Sequence, residues 1–404
     1  MRHRLWFVLT CLLVLSLSTQ TTAADLMGEL RYDMHYLTET KRFDRSQLQY
    51  KLKLDGQVGS ASAYHLSFEG DAVYRPSVSA SWELDEAYLD VYLSQLDIRV
   101  GRQVINWGTA DGINPTNDIN PKSFGSLDAL ELKGEPVPAV MVAYYQPGGA
   151  GLTGVCVLDY VPAELPPGFD LSSVSGKPTG DGDQFEIALR GELPVRGWPV
   201  YLTYFNGWDD LPAAWLSIVD PFDPTAFPVP GGRYRRVQSV GVASAVDIKG
   251  ASVWFEGAYK APERLDELEA PLNLAMSSND PYSQLVVGCD YSFDNGLYAS
   301  AQVVYNQGGS LLAPFFDPQK GRKAQTYIMA RGQYSPWDRH DLELTALFNA
   351  TDRGALFLPK YTHRLAEATK LTIGGVYVTG SDDSEFADLK QSVQGLLVGL
   401  SVSF

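Results

Sequence analysis

The residues of this chain that could do chemistry are charged side chains set on alternating faces of extended segments. The pair Ser94-Gln95 reads as a two-residue turn that sets Leu93 against Leu96, Val91 against Ile98 and Asp90 against Arg99. An acid and a base then face each other on one side of a hairpin. Where water reaches them their pairing contributes less than about 1 kcal/mol, but it sets the local field. Arg31, Lys51, Lys53, Glu86 and Arg190 lie on the polar faces of similar runs. Beyond residue 24 the histidines are His35, His65, His340 and His363, and none sits with a Ser or Asp in a recognisable nucleophile motif. A hydrolase site would need His35 and His65 to approach one another, and it is the enzymatic alternative to a non-enzymatic reading. No nucleotide, zinc or redox motif is present, and Asp111, Asn114, Asn117 and Asp118 match no calcium-loop spacing, so neither cofactor nor metal is expected.

The elements that carry these charges are strands. Leu48, Tyr50, Leu52 and Leu54 share one face of a segment whose other face holds Gln49, Lys51, Lys53 and Asp55. Tyr64, Leu66 and Phe68 oppose His65, Ser67 and Glu69 in the same way, and Ala87, Leu89 and Val91 oppose Glu86, Tyr88 and Asp90. Such period-two segments recur from residue 26 to residue 404, about eighteen in all, with sixteen as the alternative if weak neighbours such as 355–365 and 368–379 merge. Tight connections, among them Gly59-Ser60, Ser94-Gln95, Arg196-Gly197 and Glu367-Ala368, alternate with long ones at 108–137, 162–182, 209–233, 263–281, 309–322 and 380–391. A soluble sandwich has no reason to segregate its loops this way.

The ends of the chain supply an address. Arg2, His3 and Arg4 precede an apolar run from Leu5 to Leu17 and a small-residue cleavage site at Thr22-Ala23-Ala24, so residues 1–24 read as a signal peptide and residues 25–404 as the mature chain. After residue 24 no uninterrupted apolar run has the length of a spanning helix. A mean hydropathy of −0.13 and 12% aromatic residues suit a transmembrane β-barrel, in which lumen-facing and lipid-facing residues cancel. The formal net charge of −16 disfavours nucleic acid as a partner and leans the interior toward cations. Cys156 and Cys289 fall on separate strands, and no disulfide is expected.

At the C-terminus Leu396, Val398, Leu400, Val402 and Phe404 alternate with small or polar residues up to the carboxylate. This pattern resembles the closing strand of bacterial outer-membrane β-barrels of the porin superfamily, whose terminal Phe is read by the barrel-insertion machinery. The resemblance spans the mature chain. It implies an all-β transmembrane antiparallel barrel in the outer membrane of a Gram-negative cell envelope, in contact with lipid and lipopolysaccharide. It also allows a homo-trimer. In general porins the loop after the fifth strand folds inward and narrows the lumen, and the segment 108–137, with its repeated Ile-Asn-Pro at 113–115 and 119–121, resembles such a constriction loop. The run Gly101-Arg102-Gln103-Val104-Ile105-Asn106-Trp107-Gly108 and the Asn-Pro stretch after it resemble a group of uncharacterised porin-like outer-membrane proteins, over about a tenth of the chain, and carry no substrate with them.

The implied function is a porin for passive diffusion of small hydrophilic solutes or ions, weakly cation-leaning, with a channel specific for sugars or organic acids as alternative. The implied selectivity device sets loop carboxylates, Asp111, Asp118, Asp128 and Glu131, across from a basic wall of Arg31, Lys51, Lys53, Arg99, Arg102 and Arg190, with Glu86 and Asp90 among them. One residue resists the pattern. Regular alternation puts Arg102 on the lipid face at a cost of about 2–4 kcal/mol, so a β-bulge near Val100-Gly101 is expected to turn Arg102 and Asn106 inward and Ile105 and Trp107 outward. Trp107 then joins Tyr36, Tyr74, Trp82, Tyr144, Trp208, Tyr259, Tyr305 and Tyr377 in the interfacial girdles.

Overall fold

The computed structural model describes residues 21–75, 77–122, 134–163, 174–176, 178, 183–218, 222, 228–311, 323–382, 384–387 and 390–404. Its first strands are β1 (Thr21–Leu37), β2 (Arg42–Val58), β3 (Ser62–Arg75), β4 (Ser79–Leu93), β5 (Leu96–Gln103), β6 (Val137–Tyr145), β7 (Gly151–Val157), β8 (Val174–Ser175), β9 (Glu186–Val195), β10 (Trp198–Trp208) and β11 (Ala213–Ser217). The remainder are β12 (Val229–Arg233), β13 (Arg236–Ile248), β14 (Ala251–Pro262), β15 (Asn273–Ala275), β16 (Tyr282–Ser292), β17 (Leu297–Asn306), β18 (Gln325–Trp337), β19 (His340–Asn349), β20 (Ala355–Ala366), β21 (Thr369–Thr379) and β22 (Gly395–Ser403). Eighteen of them form one antiparallel sheet, which β1 and β22 close by pairing from Glu29↔Ser403 to Leu37↔Gly395. A closed barrel leaves no backbone edge to satisfy in hydrocarbon. None of the described helices is long and apolar enough to cross a membrane.

The strand count is the larger of the two expected, because the segments 355–365 and 368–379 do not merge: β20 and β21 pair antiparallel from Ala355↔Thr379 to Ala366↔Thr369. At Arg196-Gly197 and Lys249-Gly250 both residues have positive φ (53° and 85°, 57° and 85°), which matches the twist of flanking antiparallel strands and gives each hairpin its register. The apolar stripes face out: Leu396 and Leu400 on the last strand and Phe404 just after it are exposed, as are Leu342 and Leu344 on β19. Phe404 exchanges both backbone hydrogen bonds with Gly28 (2.7 and 2.9 Å), and its ring lies over that glycine at the seam. Regular pairing of β1 with β2 runs from Asp25, and a register shift separates it from Thr22. Cys156 on β7 and Cys289 on β16 are both free thiols.

Long connections at the outer end build a second sheet. β11, from the stretch read in sequence as the loop 209–233, pairs with β12 and with β15, and β12 adds β8 in parallel. Trp215 packs with Ala213, Leu265, Leu268 and Ala275 and lies across Gly231, so this aromatic pins loop to loop. The segment was missed as sheet because its strands are short and carry Pro230 and two glycines.

The bulge expected on β5 lies across the hairpin on β4. β5 runs in regular register with β4 from Leu93↔Leu96 to Ala87↔Arg102, whereas the β3–β4 register shifts between Leu66↔Ala87 and Phe68↔Leu84. Asp85 and Glu86 both turn to the lumen there, and Arg102 keeps the outward parity of Ile98 and Val100. Its Nε donates to the carbonyls of Leu84 (3.1 Å) and Asp85 (2.9 Å), which lie at the bulge. Gly101 is required for a different reason from the one expected: its φ is +138°, and a Cβ there would stand 2.1 Å from the Ala87 carbonyl oxygen. Gly101→Ala should therefore cost about 2 kcal/mol or more of unfolding free energy, read as a lower urea midpoint in lipid; an unchanged midpoint would show the glycine to be dispensable.

Candidate functional site: a loop across the lumen

At Gln103 the chain leaves the ladder and turns into the barrel. The Val104 amide donates to Glu86 Oε1 (2.9 Å) and the Ile105 amide to Asn120 Oδ1 (2.7 Å), in place of β6 carbonyls. Asn120 is buried and also donates to the Gln103 (3.3 Å) and Glu135 (2.6 Å) carbonyls, so one side chain staples both legs of the loop. Ile105, Trp107 and Ile119 pack inside the barrel on Val137, Ala139, Val155, Val157, Ala188, Phe205 and Val237. Trp107, expected in an outer girdle, is 4% exposed within this lumen cluster. The apolar residues on the inner faces of β6, β7, β9, β10 and β13 are thus the floor on which the loop rests.

The loop then spans to the opposite wall. Glu256 on β14, 0% exposed, accepts the backbone amides of Thr109 (2.8 Å), Ala110 (3.1 Å) and Thr116 (2.8 Å) and the Thr116 hydroxyl (2.8 Å). Gln302 on β17 donates to the Asp111 carbonyl at 2.6 Å. Ile113 enters a second apolar cluster with Trp254, Val286, Val304 and Tyr327. A second inward segment seats Phe386 in the same cluster, and the Glu385 carboxylate accepts from the Tyr327 hydroxyl (2.7 Å), Asn349 Nδ2 (2.8 Å) and Ser310 Oγ. Charge-assisted hydrogen bonds of this kind are the strong ones, about 1.5–3 kcal/mol each. Sequence reasoning missed Glu256. Its signal was its position on the inner face of one strand with Trp254, Ala258 and Lys260.

Polar space remains on both sides of the loop. Toward the mouth that carries the short turns a cavity of about 750 Å³ runs from Asp111 and Gly112 past Arg31, Arg331, Glu343 and Lys360. Its charges are paired along the wall: Arg331 with Glu343 (3.2 Å), Lys360 with Glu343 (3.0 Å) and Arg364 with Asp341 (3.5 Å). Toward the outer mouth a cavity of about 420 Å³ is lined by Asp118, Lys122, Asp209, Asp210, Arg235 and Lys260. Burial pushes the Asp210 carboxyl well above the usual carboxylate range, and neighbouring Glu186 and Asp209 push it further. Burial also holds the Lys122 ammonium below its ordinary value.

The expected wall residues do not converge on the loop. Arg31 pairs with Asp33 (2.8 Å), Lys51 with Glu69 and Asp85, and Arg99 with Asp90 through two bonds of 2.7 and 2.9 Å in the anticipated register. Arg99 also lies over Tyr88, Arg190 lies over Tyr201 at 4.0 Å, and Lys53 shares the inner stripe of β2. The residue that meets Asp118 is Lys260, outside the expected wall. Asp128 and Glu131 lie outside the described residues. His65 hydrogen-bonds Asp55 and is level with Asp25, ten residues down β1 from His35, so about 30 Å separates the two histidines of the hydrolase alternative. The described residues contain no group of three or more His, Cys, Asp or Glu side chains suited to a metal.

The closed eighteen-strand antiparallel barrel is a fold that this chain shares with several solved structures. OccD3 (OpdP) of Pseudomonas aeruginosa superposes with a TM-score of 0.55 at 9% sequence identity, covering 95% of this chain and 93% of that one. OccK5 (OpdH) of the same organism gives 0.55 at 10%, covering 94% and 97%, and OccAB1 of Acinetobacter baumannii gives 0.51 at 8%, covering 94% and 95%. A family model described as Protein of unknown function (DUF1302) matches residues 8–372, and the chain belongs to that family. Comparison with curated proteins gave no match.

Glu256→Gln replaces an acceptor by an amide that cannot satisfy all four donors. It should loosen the loop and leave the barrel folded. Single-channel recordings are expected to show a larger and noisier current with unchanged heat-shifted migration on gels, and an unchanged current would mean that the carboxylate does not hold the loop.

Proposed function

We propose that the chain is an outer-membrane porin through which small hydrophilic solutes or ions diffuse passively, with the loop 108–137 as its constriction and a weak preference for cations. The observation that carries this reading is a loop held across the lumen by Glu256 with polar, charge-lined cavities above and below it. A non-enzymatic role agrees with the separation of His35 from His65. The acidic balance of the chain and the position of Asp111 at the constriction favour cations. Residues 1–24 serve as the export signal, Phe404 as the mark read by the insertion machinery, and a homo-trimer as the assembly. In a planar bilayer with a KCl gradient the reversal potential is expected to report potassium preference, reduced toward zero in Asp111→Asn. Chloride preference in the wild type would overturn the cation reading, and the absence of any conductance would overturn the porin.

A second reading, a channel specific for organic acids, is favoured by the outer cavity. There the Lys122 ammonium has no hydrogen bond or ion pair among the described residues, and Arg235 Nε, in an ion pair with Asp209 at 3.8 Å, has no hydrogen bond. On this reading a small carboxylate interrupts the potassium current at millimolar concentration and Lys122→Gln abolishes the block. A neutral sugar of the same size blocking equally well would exclude it.

A further inference from the structure

On the outside of the barrel, far from the constriction, two histidines face one another across a strand pair. His340 opens β19 and pairs directly with His363 near the end of β20, at the periplasmic turn end of both strands. They continue the outward stripe of Leu342 and Leu344, whereas Asp341 and Glu343, of opposite parity, line the lumen cavity. The ring centroids are 4.5 Å apart with planes inclined by 33°. That spacing lets one ring nitrogen from each imidazole reach a common ion at about 2.0–2.1 Å.

Both rings are held so that the same nitrogen is left over. His363 Nδ1 lies 3.2 Å from the Arg339 carbonyl, which can only accept, so Nδ1 carries the proton and Nε2 keeps its lone pair. His340 Nδ1 lies 2.7 Å from the Tyr361 hydroxyl, which can accept in the same manner. Trp337 stands edge-on to His340 at 5.4 Å and Tyr361 stacks beside it at 5.9 Å, so the ring is braced on two further sides. An Nδ1–H bonded to a carbonyl or hydroxyl is the usual way a ligating imidazole has its tautomer and orientation fixed.

We propose that His340 and His363 form a surface site for a late first-row divalent cation at the periplasmic rim, with Nε2 of each ring as protein ligand and water completing the shell. Two imidazoles and no carboxylate select copper(II) ahead of nickel(II) and zinc(II), and exclude magnesium and calcium. Because the ligands must be neutral, occupancy falls on acidification.

The test is a copper(II) titration of the full-length, detergent-solubilised barrel, with electron paramagnetic resonance as the readout. The expected result is one tight site per chain whose spectrum carries the couplings of two imidazole nitrogens. His340→Asn and His363→Asn each weaken binding about a hundredfold, while His35→Asn and His65→Asn leave it unchanged. Heat-shifted migration on gels verifies that each variant is a folded barrel. Absence of a one-per-chain site in the wild type, or a site that keeps its affinity in folded His363→Asn, would overturn the assignment.

Discussion

The arrangement inside this barrel depends on one buried carboxylate. A charge at the Glu256 position, out of contact with water, would be costly if left alone. Here three backbone amides and a hydroxyl converge on its two oxygens, so the side chain and the loop solve each other's problem. A loop crossing a lumen has amides with no strand to pair with, and the wall supplies an acceptor with several lone pairs. Glu385 repeats the device for the second inward segment with hydroxyl and amide donors. The apolar clusters at either side then need only exclude water, which Trp107, Ile119, Ile113 and Phe386 do.

Much of the wall was legible because lipid outside and water inside impose opposite demands on adjacent residues. Leu48 to Asp55 and Leu396 to Phe404 carry that contrast in each step, and the turns at Ser94-Gln95 and Arg196-Gly197 fix register without any long-range information. The Asp90–Arg99 contact followed from register alone. What was not legible needed a third partner. Arg102 looked misplaced because its acceptors, the Leu84 and Asp85 carbonyls, lie at a bulge on the neighbouring strand. Ile105 and Trp107 continued the alternation of β5, yet their amides are claimed by Asn120 and Asn117, and the strand stops. Glu256 looked like one more lumen charge among many.

The charges of the wall form short local pairs more than opposed fields. Along β1 to β5 and along β18 to β20, Arg31, Lys51, Arg99, Arg331 and Lys360 each have an acid on the same or an adjacent strand. Exposed pairs of this sort contribute little to stability. Their effect is on solvation: a lumen lined by mutually compensated ions stays wet and polar without presenting a large net potential at one point, and the uncompensated character is left to the outer cavity.

The parallel contact between β8 and β12 has a mechanical corollary. With β11 and β15 it ties together, beyond the end of the barrel, the connections that follow β7, β10 and β14. That arc of the cylinder is braced at its rim as a strap braces staves, while the arc from β18 round to β5 has no such hoop among the described residues. Any widening of the cylinder under load should therefore be lopsided, with the unbraced arc yielding first.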